Sequence, residues 1–115
     1  MRKAESKHLP PRMRNALSGK KGVSVVTLGT DPVEFRVYYH GLSVVHVRAG
    51  SDDQAAVTVN TNGNDHVSMI HLINQVLEAA SVDVHLEKTK EGIKAVRGDQ
   101  VRDFVDRTTY MGLFL

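Results

Sequence analysis

The segment that decides the fold is AAVTVNTNGNDHVSMIHLINQVLEAA, residues 55–80, which passes from a strand pattern through a polar loop into a helix pattern. Residues 56–60 alternate apolar and polar side chains, as a strand with one buried face does. Beyond residue 65 the apolar side chains recur at helical spacing, and polar side chains line the opposite side. These apolar residues are Met69, Ile70, Ile73, Val76, Leu77 and Ala80. The segment predicts an amphipathic helix lying on a sheet.

Upstream, the sequence is rich in the β-branched residues that strands favour. VSVVTL at residues 23–28 predicts one strand, and VEFRVYYHGLSVVHVRA at residues 33–49 predicts two strands around His40 and Gly41. Gly41 can adopt the positive φ that a tight hairpin turn requires. The cross-strand pairs expected from this turn are Tyr39 with Leu42, Val37 with Val44 and Phe35 with His46. One face of the hairpin would then be apolar, and His46 is expected to be a satisfied, partly buried side chain.

Downstream, VDVHLEKTKEGIKAVRG alternates again and predicts a second hairpin, with strands at residues 82–87 and 93–97. Asp99 is expected to cap a short helix that turns Val101, Phe104 and Val105 inward. The final YMGLFL is expected to fold back on the core, or else to contact a partner.

These elements together predict the fold class. The protein is expected to be α+β, with an antiparallel sheet of about five to six strands, one packed amphipathic helix and a basic N-terminal arm. A domain of this length buries roughly two thirds of the surface that its unfolded chain exposes. We therefore expect one domain at residues 23–115, preceded by an arm at residues 1–22.

The arm is the strongest functional signal in the sequence. It carries seven cations against Glu5 alone, a net charge of +6, whereas the whole chain carries +2 and the remainder therefore −4. The cations are Arg2, Lys3, Lys7, Arg12, Arg14, Lys20 and Lys21. We expect the arm to be flexible, with a short helix from Pro11 to Ser18 that ends at Gly19. Such an arm can displace counterions from a phosphate backbone without reading bases, or it can be a charged tail without a partner.

The composition excludes several classes of protein. The chain contains no cysteine, so disulfides, thiolate metal sites and a cysteine nucleophile are excluded. No apolar run is long enough to span a bilayer, and the charged N-terminus lacks the apolar stretch of a secretory signal. We therefore expect a cytoplasmic protein that does not interact with membranes.

The polar loop NTNGND offers the second candidate site. A calcium loop aligned on Gly63 fails, because Thr58 and Met69 fall where acidic ligands are needed, and neither phosphate-loop motif is present. The simplest interpretation is a turn in which Asn64 or Asp65 caps the following helix. The alternative is anion recognition by Asn62, Gly63 and Asn64 at the helix N-terminus.

No constellation for catalysis is found. His66 and His71 are five residues apart, so they do not share a ligand face of a helix, and the six histidines show no other metal-ligand spacing. A GxSxG elbow is absent, and the adjacent Asp52 and Asp53 are expected to point apart in a loop. The sequence predicts no enzyme, no metal and no cofactor.

Residues 34–77 resemble small uncharacterised proteins of tailed bacteriophages. The resemblance rests on FRVYYHGLSVVHV, on VTVNTNG and on a helix that contains LINQVL. In those proteins the glycine is commonly followed by an aromatic residue and a Thr/Arg-rich run, whereas here Gly63 is followed by NDHVSM. The resemblance implies a phage origin and no particular activity.

Three functions follow from these features. The first is a nucleic-acid-associated protein whose arm supplies sequence-independent affinity. The second is a protein-binding module, either an inhibitor of a host machine or a virion or assembly component, which includes the option of a homo-oligomer. The third is a protein that sequesters a nucleotide or other small ligand at residues 62–65.

Overall fold

The computed structural model describes residues 9–30, 33–50 and 52–113. Within them the chain forms two helices and eight strands. In chain order these are α1 (Pro11–Leu17), β1 (Val23–Thr30), β2 (Val33–Tyr39), β3 (Leu42–Ala49), β4 (Gln54–Val59), α2 (Val67–Ala79), β5 (His85–Thr89), β6 (Gly92–Arg97), β7 (Gln100–Asp103) and β8 (Thr108–Leu113). The predicted α+β class is confirmed.

The strands form two antiparallel sheets. The larger has five strands in the order β1-β2-β3-β4-β8, and the smaller has three in the order β5-β6-β7. Four of the five strands in the larger sheet are consecutive in sequence, but β8 returns from the end of the chain to pair with β4. The second hairpin therefore lies in a sheet of its own, which the sequence pattern did not separate from the first.

The core lies on one face of the five-stranded sheet. Alternate residues of its strands point into the core together with the apolar stripe of α2, as period-two strands and an amphipathic helix require. Fully buried side chains on this face include Phe35, Val37, Val45, Val47, Val57 and Val59, and those of α2 include Met69, Ile73, Val76 and Leu77. The predicted helix is confirmed, and its burial joins the two sheets into one core.

The turn of the first hairpin has the predicted geometry. His40 and Gly41 have φ values of 48° and 84°, so both central residues adopt the left-handed conformation of a two-residue hairpin loop. Tyr39 lies opposite Leu42, as expected.

Beyond the turn the predicted register is wrong by one residue. A β-bulge lies between Val37 and Tyr38 in the pairing, so Val44 is an extra residue and Val37 lies opposite Val45. The observed pairs are Val37 with Val45, Phe35 with Val47 and Arg36 with His46. The bulge buries both Val44 and Val45, and burial of two consecutive valines offsets the lost ladder pairing.

The predicted helix after Asp99 is also wrong. Residues 100–103 form β7, which pairs with β6 through a tight turn at Gly98, whose φ is +56°. Val101 and Val105 are exposed instead of turned inward, and Phe104 packs against the core. The hairpin prevails because its ladder satisfies the backbone of this short segment, whereas an isolated helix of that length is marginal.

The N-terminal helix is confirmed and is attached to the domain. Pro11 begins α1, and Met13 and Leu17 share the buried face as expected. Leu9 joins them in the core, where α1 contacts α2. Arg2, Lys3 and Lys7 lie outside the described residues, and the flexibility of the arm stays a prediction.

The C-terminal strand is fixed against the end of α2. The amide of Leu113 donates to the carbonyl of Ala80 at 2.7 Å. Gly112 is buried against the same carbonyl, and the approach is so close that a Cβ at this position would overlap the carbonyl oxygen of Ala80. YMGLFL therefore returns to the domain as far as residue 113, while Phe114 and Leu115 lie outside the described residues.

Candidate nucleic-acid interface

The five-stranded sheet buries one face and leaves the other toward solvent; we call the latter the open face. Its residues alternate with the buried ones along each strand, so the register places them side by side. The open face comprises Ser24, Val26, Glu34, Arg36, Tyr38, Ser43, His46, Arg48, Ala56, Thr58, Thr109 and Met111. It is mostly polar and spans the five strands of the sheet.

Arg36 and Arg48 are the cations of this face. Arg36 lies opposite His46 and Arg48 lies opposite Glu34, so the two arginines are diagonal neighbours on adjacent strands. Such neighbours have Cα atoms about 7–8 Å apart. Both side chains are exposed, and neither has a carboxylate within ion-pair distance among the described residues.

Glu34 is the acidic residue of the open face, and its carboxylate is already engaged. Its Oε2 atom lies 2.7 Å from Nε2 of His46, and His46 is partly buried with 26% of its side chain exposed. The expectation of a satisfied His46 is confirmed, although its partner is Glu34 and its cross-strand neighbour is Arg36 instead of Phe35. The two arginines therefore leave the open face with excess positive charge.

Three cations of the β5 and β6 strands behave differently. Lys88 lies 3.5 Å from Asp65, Arg97 lies 2.9 Å from Asp83, and Lys94 pairs with Asp103. The hydrogen bond that Lys94 donates to Asp103 raises the pKa of Lys94, which keeps this amine charged. These three cations meet carboxylates, whereas Arg36 and Arg48 meet none among the residues that the structure describes.

Tyr38 and a pair of threonines complete the open face. The Tyr38 side chain is half-buried on the strand that also carries Arg36, and the hydroxyls of Thr58 and Thr109 lie 2.7 Å apart across β4 and β8. An aromatic ring on a flat sheet offers a stacking surface for a base.

The arm cations that the structure describes have different surroundings. Arg14 and Lys20 line a cleft of about 460 Å³ between α1 and the first residues of β1, with Leu17 and Val23 among its apolar walls. Lys21 is exposed. Within the described part of the chain, these three cations have no ion-pair partner.

Arg12 performs a structural task. Its guanidinium donates to the carbonyl of Glu78 and to the hydroxyl of Ser81, both at 3.2 Å. The Glu78 carbonyl belongs to the last turn of α2 and also accepts a hydrogen bond from the Ser81 amide at 3.0 Å. Arg12 therefore adds a cationic donor at the end of the central helix and ties α1 to it.

The loop NTNGND is held by Asp106 from the turn before β8. Asp106 Oδ1 accepts from the amide and the hydroxyl of Thr61 at 2.7 and 2.8 Å, and its Oδ2 accepts from the Gly63 amide at 3.4 Å. Thr61 is 4% exposed, so this carboxylate satisfies a buried polar residue. The loop is therefore a turn whose conformation is held by hydrogen bonds to Asp106.

The three candidate anion-binding residues use their amides within the protein. Asn62 donates to Asn60 Oδ1 at 2.9 Å, Gly63 donates to Asp106, and Asn64 donates to the Thr61 carbonyl at 3.0 Å. The Asn62 side chain also donates to the Ser43 carbonyl at 3.0 Å. An anion at this loop would compete with these acceptors, and the site stays a prediction.

The predicted helix cap is wrong. His66 occupies the N-cap of α2, and no side chain accepts a hydrogen bond from the first-turn amides. Asp65 is one position before the N-cap and lies near Lys88 instead, because α2 begins at Val67.

Other classes of site are not found in the described ranges. These residues contain no group of three or more histidine, cysteine, aspartate or glutamate side chains placed to hold a metal ion. None of their helices has the length and apolar character needed to cross a bilayer.

Sequence reasoning assigned the phosphate contacts to the arm and missed the open face. A signal was present, because Arg36 and Tyr38 alternate with Phe35 and Val37 and must share the opposite face of β2. Whether that face is covered could not be read from the strand itself.

The chain matches no family model, no curated protein and no solved structure in the comparisons made. The phage origin implied by residues 34–77 therefore stays a prediction.

Proposed function

We propose that this protein binds single-stranded nucleic acid without catalysis, through the open face. The observation that supports this most strongly is the pair of exposed arginines, Arg36 and Arg48. Neither has a carboxylate partner among the described residues, and Glu34 on the same face is bonded to His46. Guanidinium groups make strong bidentate hydrogen bonds to phosphate.

The shape of the surface favours a single strand over a duplex. The major groove of DNA admits a helix or a two-stranded ribbon, and the face of a five-stranded sheet is too wide to enter it. A single strand can instead lie across a flat sheet with its bases against aromatic side chains. Tyr38 would supply that stacking, and Arg36 and Arg48 would hold neighbouring phosphates.

The arm would add sequence-independent affinity. Lys20 and Lys21 lie just before β1, the edge strand next to β2, and their charges have no partner in the described part of the chain. Longer-range attraction from such cations raises affinity and association rate at low salt. We include a cytoplasmic location in the proposal, because nucleic acid is accessible there.

The test is binding of labelled single- and double-stranded DNA and RNA across a salt series. The variant is the double substitution Arg36→Gln and Arg48→Gln. The matched control is Lys88→Gln with Lys90→Gln, which removes the same charge from exposed positions of the β5–β6 hairpin in the three-stranded sheet. We expect at least a tenfold loss of affinity in the first variant and a slope of log K against log salt shallower by about 1.4, for two phosphate contacts with a single strand.

Two results would contradict the proposal. The first is that the wild-type protein binds no oligonucleotide at low salt. The second is that the control variant loses as much affinity as the open-face variant. The loss would then follow from the change in net charge and not from the position of the arginines. Thermal unfolding of each variant checks that the fold is retained.

A second candidate function is protein binding through the edge strand β1. From Val23 to Thr30 this strand carries no charged side chain, and exposed Leu28 lies in its bulged end. The opposite edge, β8, is fixed by the hydrogen bond between Leu113 and Ala80. Natural sheets commonly protect an exposed edge with charge or cover, so an uncharged edge suits pairing with another chain.

This alternative has its own readout. An assembly that pairs β1 with a second copy would keep twice the monomer mass at high salt. Electrostatic binding of nucleic acid would instead weaken as the salt concentration rises. Val26→Lys, at a position opposite Arg36 on the face away from the core, should return such an assembly to the monomer. A monomeric wild-type protein at every salt concentration would exclude self-pairing.

A further inference from the structure

A cleft of about 300 Å³ lies between the three-stranded sheet and β8. We call it the Tyr110 cleft, after the residue whose ring forms one wall. Tyr110 lies opposite Val57 in the pairing of β4 with β8, so it points to the buried side of the five-stranded sheet. The cleft therefore opens away from the open face and is a separate surface.

Its lining is mixed, with an apolar part and a polar part. Val84 is buried beneath it, Ala95 of β6 lies beside it, and exposed Val105 stands at its rim. Together with the Tyr110 ring these groups offer a surface for a small apolar body. The polar part is made by Arg97, Gln100, Arg102, Asp103 and Thr108. In pockets that bind small molecules, apolar groups hold the body of the ligand and polar groups fix its orientation.

The charged groups of the cleft leave one cation without a partner. Arg97 bonds to Asp83 at 2.9 Å, and Asp103 is engaged by Lys94. Arg102, directly opposite Ala95 across the β6–β7 ladder, has neither a hydrogen bond nor an ion pair to the described residues. Its guanidinium lines the cleft, and none of its donors is used by a residue that the structure describes.

We propose that the Tyr110 cleft binds a small organic anion that carries one carboxylate or phosphate group on an apolar or planar body. Arg102 binds the anionic group, and the body packs between Val84, Val105 and the Tyr110 ring. The volume lies at the lower end of the range for ligand pockets, so the ligand is small.

Tyr110 adds a hydroxyl to this arrangement. Burial raises the pKa of the Tyr110 phenol, and the charge of nearby Arg97 only partly offsets that effect. The phenol therefore stays protonated at neutral pH and can donate a hydrogen bond to the ligand.

The experiment uses two probes, benzoate and phenyl phosphate, which distinguish a carboxylate ligand from a phosphate ligand. Benzyl alcohol, with a similar body and no charge, is the control. Binding to the full chain is followed by amide chemical shifts in NMR titrations. We expect saturable shifts at residues 84, 102, 105 and 110 for at least one anion, with a Kd of about 1 mM or lower, and none for the alcohol.

Arg102→Gln should weaken binding of the anion at least about tenfold, because it removes a charge-assisted hydrogen bond. Arg107→Gln, an exposed cation outside the cleft, should leave binding unchanged, and so should the open-face variant with Arg36→Gln and Arg48→Gln. The proposal is overturned if neither anion gives saturable shifts in the cleft, if Arg107→Gln weakens binding as much as Arg102→Gln, or if the shifts map to the open face.

Discussion

The Oδ1 atom of Asp106 accepts two hydrogen bonds from Thr61, from its amide at 2.7 Å and from its hydroxyl at 2.8 Å. The two residues are 45 positions apart in the chain. Through them the turn before β8 positions the loop between β4 and α2. These two hydrogen bonds hold the loop in which the sequence predicted a candidate anion site.

Removal of the Asp106 carboxylate should destabilise the fold. Asp106→Ala leaves the amide and hydroxyl of buried Thr61 without their acceptor, and we expect the free energy of unfolding to fall by about 2–3 kcal/mol. Urea denaturation measures it. Asp65→Ala, which removes only an exposed ion pair, should change it by about 0.5 kcal/mol or less. Equal losses in the two variants would refute the structural role of Asp106.

Arg12 should contribute to stability through the end of α2. Arg12→Gln removes a cationic donor from the Glu78 carbonyl, and we expect a loss of about 1 kcal/mol in the free energy of unfolding. Arg14→Gln removes the same charge two residues further along α1, where the described residues offer no ion pair. It should lower the free energy of unfolding by about 0.5 kcal/mol or less. A reversed order of the two losses would contradict this assignment.

Gly112 should not tolerate a side chain. Gly112→Ala places a Cβ against the Ala80 carbonyl, so β8 or the end of α2 must shift, and we expect destabilisation by about 1–3 kcal/mol. Gly50→Ala is the matched control, because its Cβ would meet only ordinary contacts at 3.6 Å or beyond. Thermal unfolding should therefore separate the two variants clearly; similar melting temperatures would show that β8 is not held closely there.

Alkaline pH should destabilise the protein through Tyr110. Burial raises the folded-state pKa of Tyr110 above that in the unfolded chain, which is about 10. The associated stability is fully present below about pH 10 and is lost as the pH rises through the folded pKa. The difference in free energy of unfolding between wild type and Tyr110→Phe should therefore shrink or reverse at alkaline pH.

The absorbance of tyrosinate gives an independent readout of the same pKa. The titration should contain a component above the usual tyrosine pKa, and Tyr110→Phe should remove that component. Arg97→Gln should move the component higher still, because the Arg97 charge lowers the pKa of Tyr110. An unchanged titration in Tyr110→Phe would contradict the assignment.

Tyr38 should contribute to nucleic-acid binding by stacking. Tyr38→Ala should weaken binding of a single-stranded oligonucleotide by about 1–3 kcal/mol, and Tyr38→Phe, which keeps the ring, should retain most of the affinity. Fluorescence anisotropy at fixed salt measures both. If the alanine and phenylalanine variants bind alike, the ring does not stack on a base.

The sequence by itself determined the local elements. Three local patterns predicted them: the alternation in β2, β3 and β4, the helical spacing of the α2 stripe, and the glycine of the first hairpin turn. Each pattern depends on a few neighbouring residues, so it can be recognised without knowing what packs against the segment. The α+β class and the short helix after Pro10 followed from the same local rules.

Only the tertiary structure decided the rest. The bulge at Val44, the separate three-stranded sheet and the strand in place of a helix after Asp99 depend on which surfaces cover each segment, and local periodicity does not encode that. The same holds for function. The alternation in the strands predicts that Arg36 and Arg48 face outward. That no described carboxylate pairs with them, and that Arg12 and Asp106 are engaged within the fold, depends on how residues far apart in the chain are placed.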